Sequence, residues 1–269
     1  MISLIIGLTI GLVLGLTGAG GSVFAVPLLL LFAGLSMGDA SGIALGAVAA
    51  SAFYGSINNV RHQQVLWLPA LLLGAGGVIS APLGQQLAGV IPELWLLAGF
   101  NLLALTIAIR MYRQAQRSPQ QASIVRANPQ SDEAASEALC RFSPSGRLQL
   151  RLPCIVSLGL SGLAVGVLSG LFGVGGGFLI VPLLLGLSQL KMSQAVATSL
   201  VIIAAISSAG FIGFWHRTEA LDWNLLGLIA AGGILGMIVG QLISRKINNA
   251  MAQKIFAVAL VGVSLASLL

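Results

Sequence analysis

The distribution of charge constrains this chain more than any other feature. No residue of 1–38, 62–92, 152–190 or 255–269 is Asp, Glu, Lys or Arg. Apolar stretches of about 20 residues without charge read as membrane-spanning helices. Across all 269 residues only 7% are charged and 57% are hydrophobic, where soluble domains carry roughly 25% charge. The expected fold class is therefore an all-α integral membrane protein. A soluble helical core is the alternative, and the uncharged runs argue against it. The first run does not read as a cleavable signal peptide. It lacks a basic start, and glycines stand where a small-residue cleavage site would be.

Apolar segments fall at about 2–17, 22–35, 39–57, 67–88, 92–111, 153–171, 177–189, 193–214, 223–244 and 251–268. Between the fifth and sixth lies a polar stretch without periodicity, "QRSPQQASIVRANPQSDEAASE". It reads as a flexible linker. The expected organisation is a first membrane repeat at 1–112, a cytoplasmic linker at 113–151 and a second repeat at 152–269. The halves align. "GLTGAGGSVFAVPLLLL" begins at Gly15 and "GLFGVGGGFLIVPLLLG" at Gly170, with ten of seventeen positions identical. At the same offset of 155, Pro27 falls on Pro182, Met37 on Met192 and Gly55 on Gly210. After one inserted residue, Gly84-Gln85 meets Gly240-Gln241. Chance similarity between apolar helices does not put Gly, Pro and Gln in register, so duplication is the preferred reading.

Each glycine cluster precedes a short apolar segment, 22–35 or 177–189, too short for a hydrocarbon core about 30 Å thick. Each half then reads as a Gly-rich broken helix or re-entrant hairpin plus three transmembrane helices. That gives about 8 helical units, or 10 if both hairpin arms span. Twelve of the thirteen Lys and Arg then share one face: Arg61, seven between Arg110 and Arg151, Lys191, Arg245, Lys246 and Lys254. Only Arg217 lies opposite, with Asp39, Glu93, Glu219 and Asp222. Treating each broken segment as a single span would split the basic residues nine against four. The positive-inside rule favours the first arrangement and puts the linker in the cytoplasm. An odd number of crossings per half makes the repeats inverted. The net charge of +6 is thus a topology signal, and no nucleic-acid partner is expected.

Irregular backbone within a bilayer is tolerated only where protein or water covers it. Glycine permits the tight turn, and a helix starting there aims free N–H groups and a positive dipole end at the site. Two such breaks in inverted halves point to a midplane substrate site. The expected anion-binding residues are Gly18, Gly20, Gly21 and Ser22 in the first half. In the second they are Gly173, Gly175, Gly176 and Gly177. Thr198 and Ser199 join them because repeat geometry faces that pair toward the hairpin. Pro27 and Pro182 are expected to kink the second arms. Close helix packing through small residues is the alternative use of the glycines. Nucleotide binding is not indicated: no strand precedes "GAGGS" and no Gly-Lys-Ser/Thr follows it.

No acidic or basic residue lies deep in an apolar segment, which argues against proton relays and cation pathways. Neither a Ser-His-Asp set nor a zinc-ligand pattern is present, so an enzyme is not expected, nor a metal or cofactor. Cys140 and Cys154 match no metal or redox spacing and read as free thiols.

The paired motifs "GAGGSVFAVP" and "GVGGGFLIVP", with "AVATSL" at 195–200, resemble the TauE/SafE-type sulfite exporter family of bacterial membrane permeases. The resemblance covers both halves and omits the linker. It implies a secondary transporter in the bacterial inner membrane, moving sulfite, an organosulfonate or a related small sulfur-containing anion, commonly outward. Ile43-Ala44 stands in the first half where Thr198-Ser199 stands in the second, so the site is expected to be lopsided. An anion channel and a non-transporting membrane scaffold are the competing readings. The oligomeric state stays open, with a homodimer among the alternatives.

Overall fold

The computed structural model describes residues 2–18, 21–61, 65–117, 152–187, 192–217, 222–244 and 262. Nine helices and no strand occur among them. They are α1 (Ile2–Thr17), α2 (Ser22–Ala33), α3 (Met37–Arg61), α4 (Trp67–Ala88), α5 (Glu93–Arg117), α6 (Leu152–Phe172), α7 (Gly177–Leu187), α8 (Met192–Trp215) and α9 (Trp223–Ser244). Most of the linker and the apolar segment expected at 251–268 lie outside the described residues. Five helices, α3, α4, α6, α8 and α9, are long and apolar enough to cross a membrane. The second hairpin arms are short, as expected: α2 has 12 residues and α7 has 11. The first arms differ, with 16 residues in α1 and 21 in α6.

Helix ends follow local chemistry. Gly34 closes α2 in the left-handed region at φ 62°. Ser36 then caps α3, accepting the Asp39 N–H at 3.2 Å while donating its own hydroxyl to the Asp39 carboxylate at 2.8 Å. Glu93 accepts the Met37 N–H at 2.9 Å, a carboxylate at a positive helix end. Asp222 caps α9 by accepting the N–H groups of Asn224 and Leu225, both at 3.0 Å. The Arg217 guanidinium donates to the Gln85 carbonyl at 3.0 Å near the end of α4. Asp39 and Glu93 thus both act at the start of α3, and Arg217 closes the C-terminal end of α4.

Helix directions follow from the close contacts. On α1, Gly7, Gly11 and Gly15 meet Ile229, Gly233 and Met237 of α9 in rising order, so the two run parallel. On α6, Gly162, Gly166 and Gly170 meet Leu73, Gly77 and Ala81 of α4, again in parallel. Gly46 and Gly55 of α3 meet Phe211 and Leu200 of α8, so this pair is antiparallel. Parallel runs also join α3 to α9, through Gly46–Leu226 and Gly55–Met237, and α4 to α8, through Gly77–Ile206 and Gly210–Ala81. Helices α1, α3 and α9 therefore share one direction, and α4, α6 and α8 share the other. The principal partners exchange with the halves: α1 on α9 becomes α6 on α4, and α3 on α9 becomes α8 on α4.

The core fills the space between α3, α8 and the two hairpins, with Leu14, Leu29, Leu45, Ile180, Leu184, Leu200 and Ile202 fully buried. Leu71, Ile79, Leu83, Leu102 and Leu160 point outward, as an apolar surface toward lipid requires. Trp67, Trp95, Trp215 and Trp223 all lie at or near helix ends and are exposed, the places aromatic belts occupy. Cys154 is half of a disulfide. This corrects its reading as a free thiol; Cys140 lies outside the described residues.

Candidate functional site

The two glycine breaks are built alike from the backbone upward. Helix α1 ends at Thr17, and Gly18 turns the chain at φ 72°. Helix α6 ends at Phe172, and Gly173 turns it at φ 69°. The Gly18 N–H donates to Leu14 at 2.8 Å, and the Gly173 N–H to Ser169 at 2.9 Å. Those acceptors are repeat-equivalent at the offset of 155. The reopening is matched too: Phe24 N–H donates to Gly21 at 3.2 Å and Leu179 N–H to Gly176 at 3.0 Å. The neighbours also correspond. A Cβ on Gly18 would strike Val196 of α8, and one on Gly173 would strike Ser41 of α3. Val196 and Ser41 are themselves equivalent positions.

The turns then diverge. Gly175 and Gly176 both sit at φ 67°, conformations only glycine adopts cheaply. Gly21, the partner of Gly176, sits at φ −62° in the right-handed region. Its glycine serves proximity: a Cβ there would lie 2.6 Å from the Ile10 carbonyl oxygen. Gly20 lies outside the described residues.

Height along the central pair locates each part. Gly18 contacts Val196, about one turn into α8, and Gly173 contacts Ser41, about one turn into α3. The two tips therefore stand toward opposite ends of the α3–α8 pair. Gly175 instead lies beside Val48 and Ser207, near the middle of both helices. The second break carries the chain from one end back to mid-height, where α7 starts. The first bonds into α7 come from Leu179 and Ile180, both to the Gly176 carbonyl. The N–H groups ahead of them belong to the unsatisfied first turn.

The hydroxyl candidates separate. Ser22 is buried at the start of α2, as is Gly177 at the start of α7. Thr198 is buried and its hydroxyl accepts the Leu66 N–H at 3.1 Å, tying α8 to the connection before α4. Ser199 donates to Val196 at 2.8 Å and lies 3.3 Å from the Gly18 carbonyl, at the first turn. Helices α2 and α7 both continue past Pro27 and Pro182. Three residues beyond those expected also gather at the second turn. Gln85 reaches the Ser41 hydroxyl at 3.4 Å beside Gly173, and Ser169 and Ser207 adjoin Gly176 and Gly175. The repeat gave notice of Gln85, which pairs with Gln241. Ser169 carried no such signal, because its equivalent is Leu14.

A bundle of apolar helices with two buried backbone breaks, closed by parallel helix pairs drawn from both halves, defines a multi-pass membrane transporter. The comparisons with known proteins agree. The family described as Sulfite exporter TauE/SafE matches residues 3–267, and the chain belongs to that family. A "Probable membrane transporter protein" of Xylella fastidiosa strain 9a5c is 26% identical over 259 residues, 95% of this chain and 90% of that protein. A Bacillus subtilis protein of the same description is 25% identical, covering 97% of this chain and 95% of its own. No solved structure matches.

Proposed function

We propose that this transporter is a secondary carrier for a small sulfur-containing anion such as sulfite or an organosulfonate, moving it outward by alternating access. The observation that carries this reading is the second glycine break. It is buried, it opens a helix N-terminus at mid-height between α3 and α8, and such an end favours an anion. The family's name supports sulfur oxyanions as substrates. Gly173 turns the chain, Gly175, Gly176 and Gly177 supply backbone donors on one side, and Gly18, Gly20, Gly21, Ser22 and Ser199 form the matching first turn. Thr198 positions the α8 segment beside it.

The two halves, 1–112 and 152–269, act as inverted repeats about the α3–α8 pair. Equivalent helices run in opposite directions: α1 against α6, α3 against α8 and α4 against α9. Among α1–α4 and α6–α9, exchange of the halves maps the principal contacts onto one another. Alternating access is then a movement of the two exchange-related groups, α1 with α9 and α4 with α6, each drawn from both halves, around the two breaks.

Two helix ends of about half a positive charge each balance roughly one negative charge. A monoanion, or sulfite carrying its proton as bisulfite, is therefore preferred over sulfate. The test is flux into proteoliposomes holding the full chain, with sulfite, sulfoacetate, thiosulfate and sulfate compared at several pH values. Saturable sulfite flux that rises as pH falls, with sulfate weaker, is the expected outcome. Non-saturable flux would indicate a channel, and none at all a scaffold.

A further inference from the structure

Hydroxyls in membrane helices ordinarily donate to the carbonyl three or four residues back. Ser51 does so to Ala47 at 2.8 Å, Ser56 to Phe53 at 2.7 Å, Ser157 to Cys154 at 3.0 Å and Ser208 to Ala204 at 2.7 Å. Ser169 and Ser207 depart from the habit. Both residues have 0% relative exposure, and neither hydroxyl has a hydrogen-bond partner among the described residues. A buried polar group left unpaired is destabilising, and each instance calls for an explanation.

The two share a location. Ser207 Oγ stands 2.5 Å from where a Cβ on Gly175 would be, so it points at the turn. The Ser169 Cβ lies 3.5 Å from the corresponding position on Gly176, and its carbonyl already holds the Gly173 N–H. One hydroxyl comes from α8 and the other from the last turn of α6, while the opening N–H groups come from α7. The first half has no counterpart: the equivalent positions are Leu14 and Ala52, both buried.

The geometry points to Ser169 and Ser207, with the N–H groups that open α7, as a donor pocket for one oxyanion group of the substrate. This rests on the anion-transport reading and adds where the anion is held. Both hydroxyls and the α7 N–H groups come from the second half. Its donors come from three helices, which suits a polyatomic oxyanion with diverging oxygens.

The test uses the purified full chain and the variants Ser169→Ala, Ser207→Ala, their double and Ser207→Thr. Thermal midpoints are measured without anion and during titration with sodium sulfite and sodium sulfoacetate. Concentration-dependent flux is measured in proteoliposomes. Without anion, each alanine variant should melt at or above wild type, because an unpaired hydroxyl has been removed. Half-saturating concentrations should rise about 2- to 10-fold for each hydroxyl lost, and Ser207→Thr should stay near wild type. Wild-type half-saturation in the double variant would overturn the pocket while leaving transport intact. So would a lower midpoint with unchanged half-saturation, which marks a structural role. If wild type saturates with neither anion, the transport reading falls together with the pocket.

Discussion

A glycine can be required for its dihedral or for its missing side chain, and substitutions tell the two apart. Gly34 has φ 62°, yet a Cβ there would meet nothing within 4 Å. Gly34→Ala should therefore cost only the left-handed penalty of about 1–2 kcal/mol and leave flux unchanged. Gly21 is the reverse case, with φ −62° and α1 backbone against its open face. Gly21→Ala should lower the thermal midpoint in detergent more than Gly34→Ala does; an equal effect would refute proximity as its role. Gly175 combines both demands, and Gly175→Val should abolish flux in proteoliposomes while membrane insertion persists. Thr198 tests a third role. Thr198→Ala removes the acceptor of the Leu66 N–H, which should cost about 1–3 kcal/mol. The expected signature is a lower midpoint with unchanged half-saturation for sulfite.

At the scale of elements, parallel pairs of glycine-faced helices hold the halves together. Gly166 of α6 faces Gly77, and a Cβ there would lie 2.6 Å from the Gly77 Cα. Gly159, two turns earlier on the same helix, faces open space. Gly166→Val should thus sharply lower the thermal midpoint, by at least the 1–3 kcal/mol typical of overpacking, and Gly159→Val should not. Equal effects would mean α4 and α6 do not rely on close approach. The sequence made helix positions legible, because charge-free apolar runs have few other uses. The runs at 2–17, 67–88 and 223–244 coincide with α1, α4 and α9. The glycine turns were legible through duplication. Two things were not. Periodicity does not reveal that Gly21 and Gly176, aligned in sequence, hold opposite φ signs. Nor does a serine in an apolar helix announce whether it bonds its own backbone, as Ser51 does, or stays unpaired, as Ser169 does.

At the scale of the whole molecule, the question is which face meets the cytoplasm. Arg61 ends α3, and the antiparallel α8 and parallel α9 bring the start of α8 and the end of α9 to that same face. Lys191 and Arg245 adjoin those ends in sequence. The opposite end gathers Asp39 and Glu93, and with them the exposed Val90 of the α4–α5 connection. The basic face should be cytoplasmic. The disulfide at Cys154 points the other way, since such bonds persist in oxidising compartments. Twelve basic residues outweigh one sulfur pair, because each adds to the insertion bias. In a background lacking Cys140 and Cys154, cysteines at Ser131 and Val90 decide the matter. A membrane-impermeant thiol reagent added to intact cells should label Val90→Cys and spare Ser131→Cys until the membrane is opened. Labelling of both from outside would break the charge argument. Labelling of Ser131→Cys alone would reverse the molecule, and with it the side from which the second glycine turn is loaded.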